Sequence, residues 1–424
     1  MFLFFVRHFN DIDHLAPIAW KMRQAGHPVG VYGINPRYDY DSDYRLVFLK
    51  CLGVDVAYLH DRFSRHHGGL HDALHRGLLR LHASERKWSH QKTETPLHRR
   101  LLGFLSGQIA VLLYKINRLL FYNVRWARSV LHQTQACAVC FDHIMPGLYV
   151  VKPFLKAAKG MSVPSFALPH GVHLYTNEKT KPKSKDSRRL TKFNRFDHVL
   201  VPNQLRKDQL VQSGVAGGRI AVLGSARYCD QWLAQNKTII PRHIGKKGYD
   251  PHKLKLVFLP SKPQCLANVK RLRTTCSLLA EMEGIEVLIK PHTRTGGERH
   301  LFADNKFHDA SSILTAELCE WADVALVVGS SVITEALMRN KTVLYLKYLH
   351  NNTTLFEELG ACRTIHDEGE LRDVLSSLQT KGNRPLYSES AVTRFISEVV
   401  RGGIASDDVL GSYAAFLTAQ ATPS

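Results

Sequence analysis

The sequence predicts an α/β protein of two doubly wound parallel-sheet domains. Three observations predict it. The length, 424 residues, exceeds one ordinary core and suits two domains of about 150–200 residues each. The chain opens as strand, loop, helix, strand, the βαβ signature of a parallel sheet. After a stretch holding Pro241, Gly245, Gly248 and Pro251, the same alternation begins afresh.

Met1–Val6 is a short continuous apolar run, as expected for a strand buried on both faces. His8–Asp13 is polar and reads as a loop. Leu15, Ile18, Ala19 and Met22 recur at helical spacing up to Gly26, and Val29–Tyr32 is a second strand. The rhythm then breaks. Residues 62–100 are rich in His, Arg and Lys, and Leu101–Phe121 reads as one amphipathic helix carrying Leu101, Leu105, Ile109, Leu112, Ile116 and Leu119 on one face. That helix either packs on the first sheet or rests on an anionic membrane.

Alternation resumes with strand Ala136–Phe141, helix Leu148–Ala158 and strand Val163–Leu168. A second basic run, 179–195, reads as a solvated loop. Strand Phe196–Pro202, helix Gln204–Gln212 and strand Ile220–Leu223 follow. The second domain restarts at strand Leu254–Leu259. Helix Val269–Met282, strand Glu286–Lys290 and helix Ala316–Trp321 follow, then strand Val324–Val328, helix Ser331–Arg339 and strand Val343–Leu346. Residues 379–385 are loop-like and the remainder is helical. The expected domains are 1–235, carrying a basic helical insertion at about 61–130, then 236–385, with 386–424 as helices able to cross back to the first domain.

The composition narrows the class. With 44% hydrophobic and 22% charged residues the chain is a folded protein. A net charge of +20, with 23 His besides, favours anionic partners. Nucleic acid is the less favoured of these, because no recognised module or interleaving of aromatic and basic residues is present. The eight Cys lack a framework spacing. The lone C-x-x-C pair, Cys137 and Cys140, lies in an apolar run and reads as buried thiols, which suits a reducing compartment. The N-terminus lacks the regions of a signal peptide, and no stretch reaches the roughly 18 uncharged apolar residues of a membrane span. A cytoplasmic location is expected, with the basic regions 62–128 and 179–195 able to lie on the cytoplasmic face of the inner membrane.

In open parallel sheets, ligands bind beyond the carboxyl ends of the strands. Four such ends in the second half carry polar residues: Ser261-Lys262, Lys290-Pro291-His292, Gly329-Ser330-Ser331 and Lys347. Gly329 allows close backbone approach. Ser330 and Ser331 open a helix whose free N–H groups suit an anion. Glu335, one turn on, reads as an acceptor for a ribose diol or as a capping acid. Lys290 and His292 offer a charge and a donor to a phosphate. In the first half, Gly171 turns the chain so that His170 is presented at a sheet edge, where its side chain suits a general base; His173 follows. Asn10, Asp11, Asp13 and His14 sit near the first strand end. Asp11 or Asp13 is an alternative base, and Asp13 is alternatively a helix N-cap.

Phe196–Pro202, Gly214-Val215 and Arg219–Ser225, with Lys290-Pro291-His292 and Gly329–Leu337, resemble the GT-B glycosyltransferases, whose two Rossmann-like domains face a central cleft. Similar pieces occur in capsule and lipopolysaccharide enzymes such as Kdo and sialic acid transferases using CMP-sugars. The CDP-glycerol and CDP-ribitol polyol-phosphate transferases are also similar, and there a His-Gly motif, matching His170-Gly171, carries the proposed base. The resemblance implies that His292, Ser330 and Ser331 hold the donor phosphate and that the donor is CMP-, CDP- or UDP-linked. It also implies a glycan or lipid-linked acceptor and no metal or other cofactor. An acidic Kdo- or sialic-like sugar is the preferred expectation. A CDP-linked polyol-phosphate transferase and a UDP-sugar 2-epimerase of the same fold are the alternatives.

Overall fold

The computed structural model describes residues 1–63, 121–142, 150–177, 190–244, 250, 252–261, 269–291, 307–382, 386–403 and 407–421. It also describes separate positions between 69 and 120. Two parallel sheets build the chain. The first has seven strands: β1 (Phe2–Val6), β2 (Val29–Gly33), β3 (Asp55–Tyr58), β4 (Ala138–Asp142), β5 (Ser165–Leu168), β6 (His198–Val201) and β7 (Ile220–Val222), in the order β3-β2-β1-β4-β5-β6-β7. The second has six: β8 (Leu254–Leu259), β9 (Ile285–Ile289), β10 (His308–Asp309), β11 (Val324–Val327), β12 (Thr342–Leu346) and β13 (Arg363–Ile365), in the order β10-β9-β8-β11-β12-β13. Strand order reverses between β1 and β4, and again between β8 and β11. Those two switch points are where open α/β sheets hold ligands.

The central strands are fully buried, as their continuous apolar runs require. Cores lie on both faces of each sheet. The edge strands β3, β10 and β13 lie outside the sequence expectations. They are two to four residues long, too short to show a periodic pattern.

The first polar segment is not a loop. Helix Phe9–Gln24 begins one residue after His8, so Asn10, Asp11, Asp13 and His14 lie on its first turns. Asp13 is therefore not the N-cap; His8 occupies that place without a side-chain cap bond.

Of the insertion helix, Leu105, Ile109, Leu112 and Ile116 are exposed, as is Leu120. Among the described residues, these side chains are open to solvent rather than packed onto the first sheet. Leu101 and Leu119 lie outside the described residues. No described helix is long and apolar enough to cross a membrane.

The C-terminal helices tie the domains together. Phe395, Val399 and Val400 belong to the second core, whereas Val409, Leu410, Tyr413 and Leu417 belong to the first. The Tyr413 hydroxyl donates to the Gly224 carbonyl at 2.9 Å. The seven described cysteines, Cys137 and Cys140 among them, are free thiols. Burial pushes the Cys140 thiol well up.

Candidate functional site in the interdomain cleft

Two charged clusters meet at the carboxyl edge of the first sheet. In one, Arg7 leaves the end of β1 and Asp142 ends β4. Asp11 projects from the first turn of helix Phe9–Gln24, and His170 follows β5 by two residues. Arg7 Nε lies 2.6 Å from Asp11 Oδ2, and the same guanidinium pairs with Asp142. The backbone N–H of Arg7 also donates to Asp11 at 2.8 Å. Both carboxylates are almost wholly buried, so this guanidinium is what makes their burial tolerable.

Asp142 Oδ1 lies 2.9 Å from His170 Nδ1, and Asp11 Oδ1 lies 3.7 Å from it. Asn10 Nδ2 sits 3.1 Å from both ring nitrogens. The His170 side chain is 29% exposed, against 1% for Asp142. Of the three acid–base groups, Asp11, Asp142 and His170, it is the histidine that reaches solvent. Asp11 is pushed up to about 6, first by burial and then by the Asp142 charge, against the pull of Arg7. Asp11, Asp142 and His170 each bring one ligand atom within 4.8 Å of the others, a spacing that suits a cation. Arg7 already supplies positive charge to both carboxylates there.

The second cluster spans the domains. Arg45 pairs with Asp13 and, at 2.6 Å, with Asp43. Arg227 reaches Asp13 at 2.9 Å and Glu335, in the second domain, at 3.8 Å. Arg339 holds Glu335 at 3.4 Å. Asp13 thus faces arginines rather than His170. Burial, with the charges of Arg227, His170 and Arg45, holds the His14 imidazole well below its ordinary pKa, and its Nε2 has no hydrogen-bond partner among the described residues. A small depression open to solvent lies against this cluster and is lined by Phe9, Asp13, Tyr44, Arg227, Asn236 and Glu335, among others.

On the second sheet, Gly329 adopts φ +56° just beyond β11. The imidazole of His350 stands where a Cβ on Gly329 would be. Ser330 Oγ accepts from Val332 N–H at 3.4 Å, and Ser331 is the N-cap residue of helix Val332–Met338 without a side-chain cap bond. Ser261 lies two residues past β8. Because Leu259 pairs with Val327, Ser261 and Gly329 leave neighbouring strand ends at the same level.

Two expected donor contacts look different in place. The Lys290 ammonium is buried and donates to the carbonyls of Ile313 and, at 3.3 Å, Ser311. Glu335 is 3% exposed and paired to two arginines. Lys262 and His292 lie outside the described residues. Gly171 has φ +89°, and the backbone carbonyl of His173 accepts from Asn203 at 3.3 Å. Lys347 pairs with Glu357 at 2.8 Å.

Sequence reading missed Arg7, Asp142, Arg45, Arg227 and His350. A signal existed for the first two: each is the first charged residue to follow a wholly apolar strand run, at the sheet's switch point. The arginines of the second cluster carried none, because Asp13, which both reach, is 32 residues from Arg45 and far from Arg227 in sequence.

No protein-family model matches the chain, and no curated protein does. Solved structures do. The UDP-GlcNAc 2-epimerase from Neisseria meningitidis, bound to UDP-GlcNAc, is 12% identical, with 99% of this chain and 100% of that one covered at TM-score 0.57. The UDP-GlcNAc 2-epimerase from Methanocaldococcus jannaschii is 13% identical, covering 93% and 98% at TM-score 0.54. The glycotransferase of kitacinnamycin is 12% identical, covering 99% of both chains at TM-score 0.50. At such identities the likeness is one of architecture: this chain has the GT-B fold, two Rossmann-like domains about a cleft, found in both kinds of enzyme.

Proposed function

We propose that the chain is a glycosyltransferase that moves a sugar from a nucleotide donor, with His170 as general base. The observation that carries this reading is the His170–Asp142 pair: a solvent-reaching imidazole whose Nδ1 is committed to a buried carboxylate at 2.9 Å. With Nδ1–H given to Asp142, Nε2 is the unprotonated nitrogen, 3.1 Å from the Asn10 amide; it takes the proton, and the carboxylate stabilises the imidazolium that results. An acceptor hydroxyl loses its proton to Nε2 as its oxygen attacks the anomeric carbon. The bond to the nucleotide phosphate breaks, and that phosphate departs at the Gly329–Ser331 end of β11. The proposed donor is a CMP-linked acidic sugar, Kdo- or sialic-like, and the proposed acceptor a cell-envelope glycan or lipid. A CDP-linked polyol-phosphate donor would use the same base.

We further propose that the insertion rests on an anionic membrane surface. Leu105, Ile109, Leu112 and Ile116 follow helical spacing and are exposed. They lie within 62–128, where thirteen Lys and Arg stand against three Asp and Glu. An exposed apolar stripe with basic flanks suits an interfacial helix on anionic lipid, which would bring the cleft to a lipid-linked acceptor.

A second reading, UDP-sugar 2-epimerase, is favoured by the Asp11 carboxyl, which holds a proton up to about pH 6 beside Asp142. Against it, both carboxylates are buried, so only His170 reaches a substrate, whereas elimination and re-addition at C2 call for acid and base together. Incubation with UDP-GlcNAc in D2O separates the two. An epimerase places deuterium at C2 without an acceptor. The transferase reading expects no exchange there. It also expects thermal stabilisation by CMP, CDP or UDP and release of nucleotide only with acceptor. Stabilisation by none of the three nucleotides overturns both readings.

A further inference from the structure

Immediately beyond His170 the chain changes domain. His170 is fastened to the first domain by Asp142 and Asn10. Val172, only two residues later, is buried in the core of the second domain with Leu174, Val257, Leu259, Ile333 and Phe356. From there the backbone runs antiparallel to the 352–355 segment. Leu355 N–H donates to the Leu174 carbonyl at 2.8 Å and Thr176 N–H to the Thr353 carbonyl at 3.1 Å. Thr353 N–H donates to Asn177 Oδ1 at 3.1 Å, and the hydroxyls of Thr176 and Thr353 lie 2.7 Å apart. Tyr175, the bridge residue opposite Thr354, donates its hydroxyl to the Gly329 carbonyl and stacks on His350 at 5.4 Å between ring centroids. Two side-chain amides, Asn203 and Gln209, reach back to this segment from the first domain at 3.3 Å.

Between the two anchorages stands one residue, Gly171. Its φ is +89°, and no described atom lies within 4 Å of a Cβ placed there. The backbone conformation, rather than space, calls for glycine. A single residue has two soft dihedrals, so movement of the second domain has little slack to spend before it reaches His170.

We propose that residues 172–177 are a tether through which the second domain positions His170, with Tyr175 as the positioning residue and Gly171 as its pivot. The proposal rests on the reading of His170 as base and of the Gly329 loop as donor site. Occupation of that loop acts on the Gly329 carbonyl, hence on Tyr175, and the paired backbone carries the displacement to Gly171. Small displacements suffice, because a base misplaced by about 1 Å costs on the order of 100-fold in rate. Such a link lets donor binding complete the catalytic constellation, as closure does in many enzymes.

The test uses the full chain with 13C-labelled histidine, the His170 resonance being assigned with His170→Gln. Tyr175→Phe keeps the ring on His350 and removes only the donor to Gly329. It is expected to move the ligand-free His170 resonance and to abolish the change that CMP, CDP or UDP induces in it. The nucleotide-induced rise in Tm stays as in the wild type. With donor and acceptor, kcat falls about tenfold while the donor KM stays within about twofold. Thr353→Val, which loosens the same pairing from the other side, shifts His170 in the same direction. An identical His170 resonance in wild type and Tyr175→Phe, with and without nucleotide, overturns the tether. If no nucleotide raises Tm, the donor reading fails, and the ligand-free comparison still decides the tether.

Discussion

Asp142 closes a 2.9 Å contact on His170 across two adjacent parallel strands, from the last residue of β4 to the second residue past β5. Asp142 pairs with Leu168 in the sheet register, so the contact is set by backbone pairing rather than by a loop. Removing either partner should separate binding from turnover. His170→Ala is expected to keep nucleotide stabilisation and lose turnover by a factor of about 100–10,000. Asp142→Asn is expected to lower kcat by about tenfold or more without moving the donor Kd. Unchanged turnover in His170→Ala transfers the base role to the Asp11 side of the cluster.

Asp11 makes the stability of the fold depend on acidity in a particular sense. Its pKa is raised by burial and by Asp142 from 3.8 to about 6, so between those values the folded state holds a proton that the unfolded chain has released. The stabilisation is complete below about pH 4 and is lost as pH rises through about 6, a contribution of about 3 kcal/mol. His14 and His350 act in the opposite sense. Both are depressed by burial, His350 to about 4, and their contribution is lost as pH falls below the ordinary histidine range. Urea unfolding of wild type and Asp11→Asn from pH 4 to 7 isolates the first effect. The difference between the two should change by about 3 kcal/mol across that window, and a constant difference refutes it.

The sheets were legible in the sequence because their strands are buried on both faces and read as apolar runs: FLFFV, AVCF and VALV. The edge strands were not, since short segments such as Arg363–Ile365 carry no pattern. The start of the first helix was misread for a related reason. Asn10, Asp11 and Asp13 looked like loop residues by polarity, yet the carboxylates of Asp11 and Asp13 are satisfied by Arg7, Arg45 and Arg227, one of them more than 200 positions away. His170 and the Gly329 loop were legible because both follow buried strands directly. The tether was not, because antiparallel pairing of residues 172–177 with 352–355 is a property of how the domains meet.

Gly329 should tolerate no side chain. Its φ of +56° disfavours any other residue, and a Cβ would lie 2.5 Å from His350 Nε2. His350 cannot yield easily, being buried and bonded at Nδ1 to the Tyr345 hydroxyl at 3.1 Å. Gly329→Ala is expected to cost about 1–3 kcal/mol from overpacking, with a further roughly 1–2 kcal/mol from the left-handed backbone. His350→Ala in the same chain should return the overpacking part. A double-mutant cycle by urea denaturation reads this as a coupling of about 1 kcal/mol or more, and strict additivity removes the contact from the account.

The exposed stripe on the insertion gives the last prediction. Ile109 and Leu112 are 51% and 57% exposed, so replacing them should cost the fold little. On an anionic membrane the same side chains enter the headgroup boundary, where each buried CH2 is worth about 0.8 kcal/mol. Ile109→Glu with Leu112→Glu is therefore expected to leave Tm within a few degrees and to reduce flotation with phosphatidylglycerol-containing vesicles at least tenfold. Neutralising Arg99, Arg100, Lys115 and Arg118 should weaken flotation more at low salt than at high salt, because the lipid surface potential is screened within a Debye length. Phosphatidylcholine vesicles serve as the uncharged control. Equal flotation of wild type and the glutamate variant would remove the membrane from this reading and leave the stripe as a surface awaiting a protein.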